Sequence, residues 1–258
     1  MKCSKIICEV YELKKEKRVV TLEAGTFSQP ESLYFYSQGH EVWLMEPILH
    51  SFKVLLHRLF HARPHTRLGR LLYRHEWGMT EGSDLHKSRC LNAAISDKTE
   101  KSTIQECLGL PGHSSLSHGE EHKMELSSMG VESGAVETQC YTYKHLTERI
   151  IEKKVNILIL DIEGHEVTVL ESIKKEIEQK DFPDIICIEC GYDWQERLEL
   201  LEGMGYEADF FEYNNCYLSL RNSDLIVSKN EDLINQANQR NPHFVWNNKC
   251  IYKNHLAK

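Results

Sequence analysis

The sequence has no run of about 18 consecutive apolar residues, the length a membrane-crossing helix needs, so no span is expected. No apolar h-region follows Met1-Lys2-Cys3, and a cleaved signal peptide is not expected. Cationic excess is also missing: Lys and Arg total 31 against 39 Asp and Glu, a formal net charge of −8. Sequence-independent nucleic-acid binding relies on cationic surface, so this balance argues against it for the chain as a whole. The nine cysteines are odd in number and irregularly spaced. They read as the reduced thiols of a cytoplasmic protein, not a disulfide framework. Two phosphate signatures are lacking as well. Gly25 is followed by Thr26, Phe27 and Ser28, so no G-x-G-x-x-G follows the first apolar strand, and there is no Walker P-loop. A cofactor held through a glycine-rich pyrophosphate cradle is thereby excluded.

What is present is an alternation of strand and helix signals. Apolar, β-branched runs ending in an acid occur at Arg18–Ala24, Glu41–Glu46, Cys90–Asp97, Val155–Asp161 and Pro183–Glu189. Helical periodicity lies between them, over 31–38, from 48 onward, and over 141–154, 167–179 and 195–204. Weaker, alternating strands follow around 207–213, 216–220 and 224–227. This pattern predicts an α/β fold, a doubly wound Rossmann-like arrangement with a mostly parallel sheet and helices on both faces. A length of 258 residues suits a single domain over 1–258. Two segments stand apart from the alternation: a basic insertion near 48–90, and a stretch near 109–134, rich in Gly, Ser and His, that is expected to be a mobile loop.

In open α/β sheets ligands bind beyond the carboxyl ends of the strands. The residues expected there are Glu23-Ala24-Gly25, Glu46, Ser96-Asp97, Asp161 to His165, and Glu189. Acids fall at nearly every exit, which suits a ligand offering hydroxyls and a cation. Gly25 lets backbone approach a ligand closely, Glu23 is placed to neutralise a cationic amino-acid group, and Glu46, about 20 residues on, is placed to accept ribose hydroxyls. A ribose, a charged amino acid and no phosphate describe S-adenosylmethionine. The expected cofactor-binding residues are therefore Glu23, Gly25, Glu46, Ser96 and Asp97. Asp161, Glu163 and His165 are the expected catalytic residues, able to orient an acceptor hydroxyl or take its proton. Carboxylate and imidazole also suit a divalent metal, although no metal site is assigned. Capping of the next helix by Asp161 and Glu163, with Glu166 favoured by the helix dipole, is compatible with that chemistry.

Other patterns are read more plainly. His57, His61 and His65 are spaced i, i+4, i+8, but Pro64 interrupts the helix and arginines surround it, so a solvated basic face is expected. Arg63, Arg67, Arg70 and Arg74 form a basic row suited to the phosphates of RNA or of a nucleotide-linked substrate, or to pairing with the chain's own acids. Cys187 and Cys190 form a C-x-x-C at the end of a buried strand with no second pair, which argues against zinc. His113, His118 and His122 fall in the expected loop and are candidates for a lid over the substrate.

Leu160-Asp-Ile-Glu-Gly-His-Glu-Val-Thr-Val-Leu170 resembles the hallmark of the FkbM family of methyltransferases, in which a strand is followed by an acid, an apolar residue, Glu-Gly-x-Glu and Val-Leu. Further elements occur in the family's order. Glu46-Pro47, Asn92-Ala-Ala-Ile-Ser-Asp97, Gly112-His-Ser-Ser-Leu116, Ile188-Glu189 and Gly205-Tyr206 are similar to its E-P, A-x-S-D, G-x-S-S-L, strand and G-Y landmarks. The similarity runs over roughly residues 17 to 220. It departs at Glu23-Ala-Gly-Thr-Phe-Ser-Gln29, where the family has D-x-G-A-N-x-G: the Asp is Glu23, the Asn is Phe27 and the last Gly is Gln29. The resemblance implies a Rossmann-like fold and methyl transfer from S-adenosylmethionine to oxygen, often on a sugar or another small-molecule hydroxyl. Two alternatives stay open: methylation of a phosphate-rich substrate such as RNA, suggested by the arginine row, and a methyltransferase fold kept only to bind a partner, suggested by Phe27 and Gln29.

Overall fold

The computed structural model describes residues 3–27, 30–61, 89–108, 114–116, 127–190, 194–212, 215–240, 244–246 and 250–252. Its centre is a seven-stranded sheet. Outside that sheet, β1 (Tyr11–Leu13) pairs antiparallel with a strand at Ile226–Lys229. Within it, five strands run parallel: β2 (Val20–Ala24), β3 (Glu41–Met45), β4 (Arg89–Leu91), β8 (Ile157–Leu160) and β9 (Ile185–Glu189). The reversed strand β11 (Asn215–Leu220), antiparallel to β9, and β10 (Tyr206–Glu212), antiparallel to β11, complete it in the spatial order β10-β11-β9-β8-β2-β3-β4. From β2 the chain moves outward to β3 and β4. It returns to β8 on the other side of β2 and then moves outward to β9. The β2/β8 boundary is thus the topological switch point, where a crevice opens at the carboxyl ends of the strands.

Alternation along each strand makes two cores. Leu22 and Ala24 of β2, Leu158 and Leu160 of β8, and Ile186 and Ile188 of β9 face one side. There they meet Val169, Leu170 and Ile173 of α5 (Glu166–Glu176) and Leu198 and Leu201 of α6 (Trp194–Gly203). Ile157, Ile159, Ile185 and Cys187 face the other side. They pack with Ile6 and Ile7 of α1 (Cys3–Val10), Leu33 and Phe35 of α2 (Leu33–Ser37), Leu55 and Leu59 of α3 (Leu49–His61), and Ile234 and Ala237 of α7 (Glu231–Arg240). All four residues of β8 are buried, which is why that strand reads as an unbroken apolar run. Each such side chain gains roughly 1.5–3 kcal/mol from leaving water. Among the described residues, no helix is long and apolar enough to cross a membrane.

Three elements differ from the sequence reading. The stretch expected as a loop to residue 134 ends earlier, because β7 (Ser133–Tyr141) pairs antiparallel with β6 (Lys101–Cys107) from Cys107↔Ser133 to Lys101↔Gln139. In β6 only Ile104 and Cys107 are buried, so the hairpin carries little apolar signal. The helix expected over 141–154 is α4 (Tyr143–His145) running into a π turn at Leu146–Ile150. The third is α7, unforeseen because only Ile234 and Ala237 of its ten residues are buried. β7 also pairs in parallel with β5 (Ala94–Ile95), which carries Ser96 and Asp97 at its end.

Candidate active site

Register brings the exits together. Ala24 lies opposite Met45 on one side and Leu160 on the other, and Leu160 lies opposite Ile188. The residues that follow, Gly25, Glu46, Asp161 and Glu189, therefore emerge side by side at one end of the sheet, on strands about 4.8 Å apart. Beside them lies a cleft lined by Gly25, Phe27, Glu46, Asp161, Glu163 and His165, with Ile48, Ala93, Ile95 and Ile104 supplying apolar wall.

Gly25 has φ +84°, and a Cβ built there would lie 1.6 Å from the Asp161 carbonyl oxygen. Only glycine fits where the β2 and β8 exits touch. Glu23 and Glu46 are both buried, and both are used from within. The Glu23 carboxylate accepts the N–H groups of Glu31 and Ser32, each at 2.8 Å, and the Ser32 hydroxyl. It thus holds the chain at Glu31 and Ser32 rather than lining the cleft. The Glu46 carboxylate accepts Phe27 N–H and Ile48 N–H, each at 2.8 Å, and still faces the cleft. Burial raises both carboxyls to about 7, against the opposing pull of those hydrogen bonds. Asn92 fixes the same corner by donating to the carbonyls of Glu46 and Pro47 at 2.9 and 3.1 Å. Phe27 has φ +45°, an uncommon conformation for a bulky residue, and its ring lines the cleft.

The β8 exit is built differently. Glu163 (φ +54°) and Gly164 (φ +95°) form a left-handed turn before α5. The N-cap of α5 is His165, with no side-chain capping bond, so Asp161 and Glu163 are not the caps expected from sequence. Glu166 takes that part, accepting the N–H groups of Ile162 and Gly164 at 3.1 and 3.0 Å. It is fully buried and paired at 3.0 Å with the buried guanidinium of Arg197, which also donates to the Glu189 carbonyl at 2.7 Å. With the turn held from behind, the carboxylates of Asp161, Glu163 and Glu189 converge, their oxygens within 4.8 Å of one another. Asp161 opens on the cleft yet is ringed by protein, and burial together with Glu189, Glu166 and Glu23 raises its carboxyl. Burial, then Glu189 and Asp161, raises Glu163 to about 9. Burial and Glu166 raise Glu189, which hydrogen-bonds Asp161. Such a pocket relieves its own repulsion when a cation enters.

His165 is buried on the cleft wall, its Nε2 3.0 Å from the Ser96 hydroxyl, which in turn lies 3.1 Å from Asp97. Burial lowers its pKa while Asp97 opposes that shift, leaving the ring neutral near pH 7. Ser96 and Asp97, expected to hold cofactor, thus stand behind His165 rather than among the lining residues. Ser115 also lines the cleft, its hydroxyl donating to the Ile162 carbonyl at 3.3 Å. Sequence reading singled out neither Arg197 nor Phe27 as site residues. Arg197 carries no local motif, while Phe27 was visible only as a departure from the family pattern. Elsewhere, Cys187 is buried in β9 with its sulfur 3.4 Å from that of Cys3, which leaves the C-x-x-C a packing feature. Arg63, Arg67, Arg70, Arg74, His65, His113, His118 and His122 lie outside the described residues, as does the side chain of His61.

The described lining fits S-adenosylmethionine. It contains no Lys or Arg to hold phosphate, carries acids that suit an ammonium or sulfonium cation, and offers at Glu46 an acceptor for ribose hydroxyls beside apolar wall for a base. Comparisons with known proteins agree in kind. A model of the methyltransferase FkbM domain matches residues 30–208, beginning just after the Glu23–Gln29 loop that departs from the family pattern. No curated protein matches. Among solved structures, similarity is found to a precorrin-6y C5,15-methyltransferase from Geobacter metallireducens GS-15, at 9% identity and TM-score 0.38, covering 78% of each chain. Another is an rRNA methylase from Streptococcus thermophilus, at 11% identity and TM-score 0.39, covering 84% of this chain and 94% of that one. The family match spans well over half of the sequence, so this chain belongs to the FkbM family and is an S-adenosylmethionine-dependent methyltransferase.

Proposed function

We propose that the protein methylates a hydroxyl oxygen of a small molecule or glycan, with Glu46 holding the cofactor ribose, Asp161 and its acidic neighbours facing the cationic end, and His165 taking the acceptor proton. The observation that carries this reading is an acidic cleft, with no Lys or Arg among its described lining residues, that has the His165 imidazole on its wall. When bound, S-adenosylmethionine supplies an electrophilic methyl group on a sulfonium. The protein's share is to align the hydroxyl in line with that methyl and to exclude water. As the oxygen–carbon bond forms and the carbon–sulfur bond breaks, the hydroxyl proton becomes acidic and passes to His165, a better acceptor near neutrality than a carboxylate. Ser115 and Leu116 line the same cleft, and Ser115 donates to the Ile162 carbonyl at the β8 exit, so an acceptor of modest size would sit between this segment and the strand ends. Titration calorimetry with S-adenosylhomocysteine tests the cofactor half. Binding is expected, and Glu46→Ala should weaken it by tenfold or more, since a hydrogen bond to a charged group contributes about 1.5–3 kcal/mol. No binding at millimolar ligand, or unchanged affinity in the variant, overturns the assignment.

A further inference from the structure

The backbone from Gly25 to Phe27 is pinned to the end of β3. Gly25 N–H and Thr26 N–H donate to the Met45 carbonyl at 3.1 and 3.2 Å, and Phe27 N–H donates to the Glu46 carboxylate at 2.8 Å. On its other flank Gly25 abuts the Asp161 carbonyl. Phe27 is therefore carried on a short, firmly held segment that spans the exits of Glu46 and Asp161. Folding gains little from a phenylalanine at this point. Its φ of +45° lies in the left-handed region, which bulky side chains resist. Its ring belongs to neither core: the residue is 36% exposed and lines the cleft. Among the described lining residues no other Phe, Tyr or Trp occurs. A bulky residue kept in an unfavourable conformation, with its ring at a ligand cleft, is the kind of outlier that points to function.

We propose that Phe27 is a cofactor-binding residue that sets its aromatic face against the sulfonium of S-adenosylmethionine, and so distinguishes the charged cofactor from its neutral product. This rests on the cofactor placement given above, with the ribose at Glu46 and the cationic end at Asp161. In that molecule the sulfur is joined to the ribose by a single methylene and to the amino-acid carbon by a short alkyl arm. The sulfonium therefore falls between the groups those two acids face, and the segment that carries Phe27 spans the same two exits. The face of an aromatic ring is the negative part of its quadrupole and attracts a cation, most strongly where water is excluded. A sulfonium has no N–H or O–H to donate, so it gains less from a hydrogen-bond acceptor than an ammonium does. A π face suits it, as it suits other onium cations. S-adenosylhomocysteine has the same ribose, base and amino acid but a neutral thioether, so the ring discriminates by the charge on one atom. Weaker hold on the neutral product also favours its release after transfer.

Titration calorimetry on the full-length chain tests this without an acceptor, by comparing the affinities for S-adenosylmethionine and S-adenosylhomocysteine in the unaltered protein, Phe27→Leu and Phe27→Tyr. Leucine keeps apolar bulk under the same backbone constraint but has no π face, whereas tyrosine keeps the face. Phe27→Leu should weaken S-adenosylmethionine about three- to thirtyfold more than S-adenosylhomocysteine, the span of a cation–π contact from exposed to desolvated. Phe27→Tyr should keep the affinity ratio of the unaltered protein. Phe27→Asn, whose side chain tolerates the left-handed backbone, gives the same readout should Phe27→Leu not fold. Equal losses for the two ligands overturn the inference and make the ring a stacking platform for the adenine. Unchanged affinity for both overturns it as well. Failure of the cofactor reading looks different: the unaltered protein then binds neither ligand and both readings fall, whereas equal losses sink only this one.

Discussion

The β2 and β8 exits are both strand-to-helix turns dense in acids, yet they use those acids in opposite ways. At the β2 side, Glu23 is spent on holding chain in place through the N–H groups of Glu31 and Ser32, while Glu46 accepts Phe27 N–H and Ile48 N–H and still borders the cleft. At the β8 side one acid, Glu166, does all of that holding, with Arg197 as its counter-charge. Asp161, Glu163 and Glu189 are thereby left facing each other at the strand ends. An acid at a strand exit is therefore relieved of holding the turn only where another residue has already satisfied it. Phe27 fits the same contrast, because its left-handed backbone is held by Glu46 where the family pattern has the more tolerant Asn.

The sharpest way to break this comparison is Glu166→Gln. Removing the charge leaves Arg197 buried without its partner, and loss of one member of a buried pair costs about 3–5 kcal/mol. Denaturant unfolding should show that loss, and a cost under about 1 kcal/mol, the scale of an exposed pair, would mean the β8 turn is held by something else. Gly25→Ala should come next, at about 2–5 kcal/mol from left-handed strain and overpacking against the Asp161 carbonyl. The same unfolding measurement checks it, and S-adenosylhomocysteine affinity should fall in parallel because the two exits are pushed apart. Equal stability would show that they do not abut. The gentlest effect is that of pH. Glu163 is raised to about 9 and Glu23 and Glu46 to about 7, all above the unfolded value near 4.5. The folded state therefore binds these protons more tightly than the unfolded chain. Their contribution is fully present below about pH 4.5 and is lost as pH rises through 7 for Glu23 and Glu46 and through 9 for Glu163. The melting temperature should fall between about pH 5 and 9, and Glu163→Gln should flatten the upper part of that fall. A slope unchanged in the variant would move the repulsion away from the β8 exit.

Much of this was legible in the chain. The largely buried strands β2, β3, β8 and β9 announce themselves as mostly apolar runs, and the acids that end them mark the cleft by their positions in the sequence alone. The β6/β7 hairpin and α7 were not legible, since each buries only a few side chains and half-buried elements have weak periodicity. At the site, the residue types were visible but their division of labour was not. Glu23 and Glu46 look like equivalent ligand acids in sequence. Which donors surround each carboxylate depends on where the loop after Gly25 turns back.

The sequence by itself determined the sheet, the placing of acids at its carboxyl end and the family, because strand burial and short exit motifs are local properties of consecutive residues. Only the tertiary structure decided that Glu166 answers to Arg197, that Asp161 lies against Glu189, and that Ser96 and Asp97 stand behind His165. Those relations join residues from different strands and helices. A carboxylate or an imidazole takes its role from whichever groups the fold sets within hydrogen-bonding reach, and that is fixed by strand order and register.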